Sequence, residues 1–251
     1  MSVTLFQKRN DVLLAIICCH HRRFATDVIR STWLKDIERQ CDYRFFFGRG
    51  GSGNHQPDEI VLDCDDAYRG LACKVWRICQ YAQAHGYKYV FKVDDDSYTR
   101  PERVVRAGYE GKEYVGARCG PTDKYHEHPY ARGGTGYWLG PKAIAALAAA
   151  PVPNPDIPSE YAEDSWVGKT TAAAGIACEN DNTRLRCADF SGPGRGPRPN
   201  GYVGWKKDVP TRHNNFITSC EFLGTEMLAV HEEWVKSCDK LNALMSKLVL
   251  K

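Results

Sequence analysis

Short apolar runs alternate with helix-periodic segments through the N-terminal part of this chain, and few architectures accommodate that pattern. Val12 to Cys19 is continuously apolar, as a strand buried on both faces must be, and "FATDVIRSTWLKDIERQ" after it carries apolar residues at helical spacing. "YRFFFG" (43–48) predicts a second strand, closed by the Gly-rich surface turn "GRGGSGNHQP", and "DEIVLDC" predicts a third. Tyr68 to His85 predicts an amphipathic helix with Leu71, Val75, Ile78 and Ala82 on one face, and Tyr87 to Val93 a fourth strand. Strand and helix in turn predict an α/β fold, with a largely parallel central sheet and helices on both faces.

Beyond Pro101 the pattern loosens. A short helix, "PERVVRAGYE", a strand, "EYVGARC", the segment "GGTGYWLG", an Ala-rich helix over 141–150 and the Pro-punctuated "PVPNPDIP" precede a helix starting near Glu163. "SGPGRGPRPNG" (191–201) predicts a loop, and "NNFITSCEF" (214–222) and a helix from Thr225 end the pattern. No repeat or linker divides the chain, so one domain over 1–251 is expected.

Lys and Arg number 34 against 31 Asp and Glu, a net charge of +3, which by itself neither announces nor excludes a nucleic-acid partner. The apolar N-terminal run is far short of the roughly 20 residues that span a bilayer, so no membrane span is expected. Eleven cysteines, an odd count with Cys18 and Cys19 adjacent and no visible export signal, predict reduced thiols in a cytoplasm, and no CxxC pair supports a structural zinc.

The fourth strand runs straight into Asp94, Asp95 and Asp96. Adjacent carboxylates at a strand end raise one another's pKa unless a cation offsets their repulsion, and hard oxygen donors suit Mn2+ or Mg2+, which bridge the phosphates of a nucleotide. Such a site also calls for a carboxylate base on a rigid element, and Asp164, in "EDSWVG" at a predicted helix N-terminus, is the candidate. Its other role at that position is to offset the helix dipole. Trp138 and Trp166 flank these segments, suited either to stacking on sugar rings or to packing.

The chain resembles the inverting β-1,3-galactosyltransferase and β-1,3-N-acetylglucosaminyltransferase family, which includes the Fringe and core-1 enzymes. The likeness runs in family order through "RFATDVIRSTW", "FFFG", "DCDDAYRGLACKV", "KVDDDSY", "YVGAR", "HPYARGGTGYWLG" and "EDSWVG". It implies a nucleotide-diphospho-sugar transferase (GT-A) fold, a UDP-sugar donor, Mn2+ dependence and inversion by direct displacement. By the same resemblance Asp94 and Asp96 would hold the metal, Asp95 would approach the ribose or donor sugar, and Asp164 would be the base. Arg23, Asp65 and Lys74 fall in segments that would line the nucleotide site, and Gly134, Gly136 and Tyr137 would wall the place where donor and acceptor meet. The family's late-chain His ligand has no counterpart near Ser219 or Cys220, which leaves His213 as the nearest candidate.

The family's secretory members carry an N-terminal anchor and stem, and their absence here implies a cytoplasmic bacterial, viral or phage-like setting. A glycan hydroxyl is the expected acceptor. A hydroxylated base in DNA is the alternative that the arginines of 191–201 suggest, and a catalytically silent sugar-binding module is the alternative from another class.

Overall fold

The computed structural model describes residues 9–35, 37, 40–120 and 127–186, and near the C-terminus residues 218–219, 227–228, 231–232 and 235–236. In chain order the elements are β1 (Arg9–Ile17), α1 (Phe24–Ser31), β2 (Cys41–Phe47), β3 (Glu59–Val61), α2 (Leu71–Ala84), β4 (Tyr89–Asp94), β5 (Tyr98–Thr99) and α3 (Pro101–Val104). There follow β6 (Tyr114–Gly116), β7 (Arg118–Cys119), β8 (Tyr130–Ala131), β9 (Tyr137–Leu139), α4 (Pro141–Ala149), α5 (Pro158–Tyr161), α6 (Glu163–Ala173), β10 (Glu179–Asn180), β11 (Leu185–Arg186) and β12 (Thr218–Ser219).

Seven strands form the central sheet in the order β10-β6-β9-β4-β1-β2-β3. The pairs β1–β2, β1–β4, β2–β3 and β10–β6 are parallel, and β9 runs antiparallel between β4 and β6. β1 is buried on both faces because its side chains alternate: Val12, Leu14 and Ile16 join Ile29, Trp33, Phe45 and Phe91 on one side. Leu13, Ala15 and Ile17 join Val75, Ile78 and Ala82 of α2, with Ile144 and Leu147 of α4, on the other. A largely parallel sheet covered by helices is thus the observed architecture.

Several boundaries differ from the sequence reading, each for a local reason. α1 stops at Ser31 rather than continuing toward Gln40, because Thr32 leaves helical geometry and turns Trp33 into the core. The helix expected from Tyr68 begins as a 3-10 turn, Tyr68–Gly70, before α2. The strand expected over 113–119 is broken into β6 and β7, which pair with β9 and β8 respectively. Trp138 and Trp166 are buried in the core, which makes them packing residues rather than sugar-stacking surfaces. The expectation of reduced thiols is corrected for one pair: Cys64 and Cys73 form a disulfide that ties the end of the β3 loop to the first turn of α2.

Of the expected strand over 214–222 only Thr218–Ser219 lies within the described residues. It pairs antiparallel with β5, Thr218 opposite Thr99 and Ser219 opposite Tyr98. The loop 191–201 and His213 lie outside the described residues. Among the described residues no helix is long and apolar enough to cross a membrane.

Candidate active site

The strand order reverses at β1. From its carboxyl end the chain turns one way to β2 and β3, then returns through α2 to β4 on the other flank. Loops leaving the two strands part there, and in open α/β sheets that crevice is where ligands bind. Ile17 is in register with Asp94, and the Asp95 N–H donates to Ile17 O at 3.1 Å, so the acidic triplet sits at this divide. A cavity of about 550 Å³ opens on it, lined by Ile17, Cys18, Arg22, Asp66, Tyr68, Lys74 and all three aspartates, among others.

Each carboxylate of the triplet has a different environment. Asp94 Oδ1 is ion-paired with the ammonium of Lys92 at 2.7 Å. Asp95 is buried, with 6 % of its surface exposed; its Oδ1 lies 3.4 Å from Arg22 Nη2, and its Oδ2 has no hydrogen-bond partner among the described residues. Burial pushes Asp95 up to about 7, the neighbouring aspartates add to that, and Arg22 only partly opposes it. Asp96 Oδ2 accepts from Arg22 Nη1 at 3.3 Å, and burial together with Asp94 raises its pKa too.

Behind the triplet lies a buried ionic network. Lys92 is 1 % exposed, and its Nζ reaches Asp94 at 2.7 Å, Glu163 Oε2 at 3.3 Å and Gly133 O at 3.2 Å. Burial works against the ammonium, but the two carboxylates more than reverse it and hold Lys92 above its ordinary range. Glu163 also accepts from the Tyr137 hydroxyl, and burial raises its pKa despite Lys92. Gly133 must be a glycine for this network to close, since a Cβ there would stand 2.1 Å from Glu163 Oε2.

Some residues singled out from the sequence line this cavity and others do not. Lys74 is buried under it, donating to Cys18 O at 2.7 Å and to Asp66 Oδ1 at 3.0 Å, so it ties the end of β1 to the loop before α2. Asp65 is exposed and accepts from Ala67 N–H at 2.9 Å; its neighbour Asp66 lines the cavity. Burial alone would raise Asp66, but N–H groups of His20 and Gly48, with Lys74, hold it below the usual carboxylate range. Arg23 turns away to Glu59, Asn54 O and the Phe47 ring, and the cavity takes Arg22 instead.

Gly134 receives the Ser97 hydroxyl on its carbonyl at 2.8 Å, which fastens the Gly133–Thr135 turn to the loop after the triplet. Gly136 has φ +74° and no room for a Cβ against Lys92 O at 2.8 Å, while Tyr137 is fully buried beneath the site. Asp164 is half-buried in the first turn of α6, its Oδ1 accepting from Ser165 N–H at 2.9 Å. Tyr68 lines the cavity beside the triplet; burial raises its phenol, and Asp164, Glu163 and Asp94 add to that. Arg22, Asp66, Lys92 and Glu163 were not singled out from the sequence. Two of them had a signal: the spacing D-x-Y in "DDAY" falls on Asp66, and Lys92 stands two residues before Asp94, on the same face of a strand otherwise apolar.

Among the described residues no group of three or more His, Cys, Asp or Glu is arranged to hold a metal by itself. Asp94 and Asp96 nonetheless supply hard oxygen donors, and the unpartnered Oδ2 of buried Asp95 is an acceptor in want of a cation or donor. Magnesium-type sites built from one or two carboxylates and completed by substrate phosphates and water have this donor chemistry, so the residues fit such an ion.

An open, mostly parallel sheet of this order, helix-covered and with its cavity beyond β1 and β4, defines the GT-A nucleotide-diphospho-sugar transferase fold. The chain is similar in fold to an active-site mutant of LgtC, with TM-score 0.53 and 9 % identity over 87 % of this chain and 94 % of that one. It is similarly related to galactosyltransferase LgtC in complex with donor and acceptor sugar analogs, with TM-score 0.50 and 8 % identity over 88 % and 96 %. A glycosyltransferase involved in the glycosylation of the major capsid of PBCV-1 aligns at TM-score 0.40 and 12 % identity, over 70 % and 84 %. No protein-family model matches the chain, and no curated protein matches it.

Proposed function

We propose that this chain is a metal-dependent glycosyltransferase that moves a hexose or N-acetylhexosamine from a UDP-sugar to a hydroxyl of a glycan acceptor, with inversion at the anomeric carbon. The observation that carries the reading is the acidic triplet at the reversal point of a GT-A sheet, its buried Asp95 Oδ2 unpartnered among the described residues and its cavity large enough for a diphosphate with part of a nucleoside.

In this reading Asp94 and Asp96 would hold Mn2+ or Mg2+. The ion when bound supplies Lewis-acid stabilisation of the charge that grows on the leaving UDP. Arg22 reaches the same space and stands opposite Asp95 and Asp96, where it can turn its guanidinium toward a phosphate. Asp164 takes the proton from the acceptor hydroxyl as that oxygen bonds to the sugar C1 and the C1–O bond to UDP breaks. Lys92 and Glu163 keep Asp94 and the start of α6, which carries Asp164, in fixed relation.

The test is UDP release from UDP-galactose, UDP-glucose and UDP-N-acetylglucosamine with Mn2+, repeated with EDTA. Release with at least one donor that EDTA abolishes is expected, and proton NMR of the product fixes the anomeric outcome. No metal-dependent release or transfer with any nucleotide sugar would leave the sugar-binding module as the better reading.

A further inference from the structure

We propose that Tyr68, braced by Tyr161, is the platform on which the acceptor lies, and that this acceptor is an uncharged glycan presenting the flat face of a pyranose ring. The inference rests on the transferase reading and names its second substrate. Tyr68 is 69 % exposed and stands on the wall of the cavity that holds the triplet.

The ring is held out rather than left loose. Its 3-10 turn lies between Asp66, fixed by backbone N–H groups of His20 and Gly48, and Gly70, which packs so closely on Asp65 O that a Cβ would stand 1.9 Å away. The Cys64–Cys73 disulfide spans the same segment. Tyr161, the last residue of α5, meets Tyr68 edge to face with centroids 6.4 Å apart, and Asp164 follows three positions later. At an interplanar angle of 71° the two rings share no flat face, so Tyr161 braces Tyr68, and the exposed Tyr68 ring is the ledge beside the triplet. The C–H face of a pyranose stacks on such a ledge.

Charge selects among acceptors. Asp94, Asp95 and Asp96 line the same cavity as Tyr68, while Arg22 is already opposed by Asp95 and Asp96 and Lys74 by Asp66. In the absence of metal a phosphate backbone would meet net repulsion there, whereas a neutral sugar would meet acceptors for its hydroxyls.

Saturation-transfer NMR tests this with methyl β-galactoside, methyl β-glucoside and methyl β-N-acetylglucosaminide, each with and without UDP and Mn2+, and with a single-stranded oligonucleotide. Wild type should transfer saturation to the ring C–H protons of at least one glycoside. Tyr68→Phe should retain that transfer, while Tyr68→Ala and Tyr161→Ala should weaken glycoside affinity about tenfold, the scale of one lost stacking contact. In turnover the loss should appear in acceptor KM more than in kcat. Because the Tyr68 ring is exposed, Tyr68→Ala should melt close to wild type, which separates a binding loss from misfolding. Glycoside binding that survives in Tyr68→Ala, no glycoside signal from wild type, or Tyr68-dependent binding of the oligonucleotide would each overturn the proposal. The arm without donor decides the platform even where UDP and Mn2+ fail to bind, and that failure would count against the transferase reading alone.

Discussion

Lys92→Met should expose how far the site depends on one buried cation. Lys92 joins Asp94 at 2.7 Å to Glu163 at 3.3 Å, and methionine fills its space while leaving two carboxylates facing each other. Removing one partner of a buried ion pair costs about 3–5 kcal/mol. For a chain of this size each kcal/mol lowers the melting temperature by about 2–4 °C, so a fall of roughly 6–20 °C is expected.

The loss should also depend on pH. Glu163 is already raised by burial in the presence of Lys92, and without the ammonium it rises further. A carboxyl group with a folded pKa above its unfolded value near 4.3 destabilises the fold progressively as pH climbs from the unfolded value through the folded one. The deficit relative to wild type should therefore be larger at pH 8 than at pH 5, and Lys92→Met with Glu163→Gln should recover part of it at pH 8. Thermal melts followed by circular dichroism at the two pH values measure this. A variant within about 2 °C of wild type at both would refute the network's structural role, and an equal deficit at both would refute Glu163 as the group left charged.

Asp96→Ala should abolish turnover by weakening binding of UDP with Mn2+, whereas Asp164→Asn should bind UDP normally and lose transfer; calorimetry beside the UDP-release assay separates the two, and near-normal turnover in Asp164→Asn would reassign the base. Gly70→Ala must displace the Asp65 carbonyl, which its Cβ would meet at 1.9 Å, and the strain should cost about 1–3 kcal/mol in a denaturant melt while also weakening donor binding. Burial raises Asp58 and Glu59, but Arg30 at 2.8 and 2.9 Å overrides it and holds both below the usual range. Their stabilisation is present above the unfolded values near 4 and is lost as pH falls through the depressed folded ones, so Arg30→Gln should move acid unfolding to higher pH in a circular dichroism titration.

β1, β2, β4 and α2 were legible in the sequence because each carries an uninterrupted apolar run or a clean helical stripe, and the triplet's place at the end of β4 followed from them. What escaped depends on partners distant in sequence. β9 is a strand only because β4 and β6 leave a gap between them, and its three residues give periodicity nothing to register. The choice of Arg22 over Arg23 turns on which way one short 3-10 turn faces, and adjacent arginines are indistinguishable to motif spacing. Glu163, beside Asp164 in the same helical turn, reads as another dipole-offsetting carboxylate until its burial against Lys92 and Tyr137 is known. The Cys64–Cys73 pair was hidden by cysteine counting, which weighs the whole chain and misses a local clasp.

The pairing of β5 with β12 has a consequence for how the molecule is made. β5 begins two residues after the triplet, yet the strand that hydrogen-bonds to it comes from residues 218–219. A ribosome delivers those residues more than a hundred codons after it delivers the aspartates. The central sheet can therefore assemble on the emerging chain while the edge beside its acidic mouth still waits for a partner, and nascent chains halted before residue 218 should be protease-sensitive first at Tyr98–Thr99.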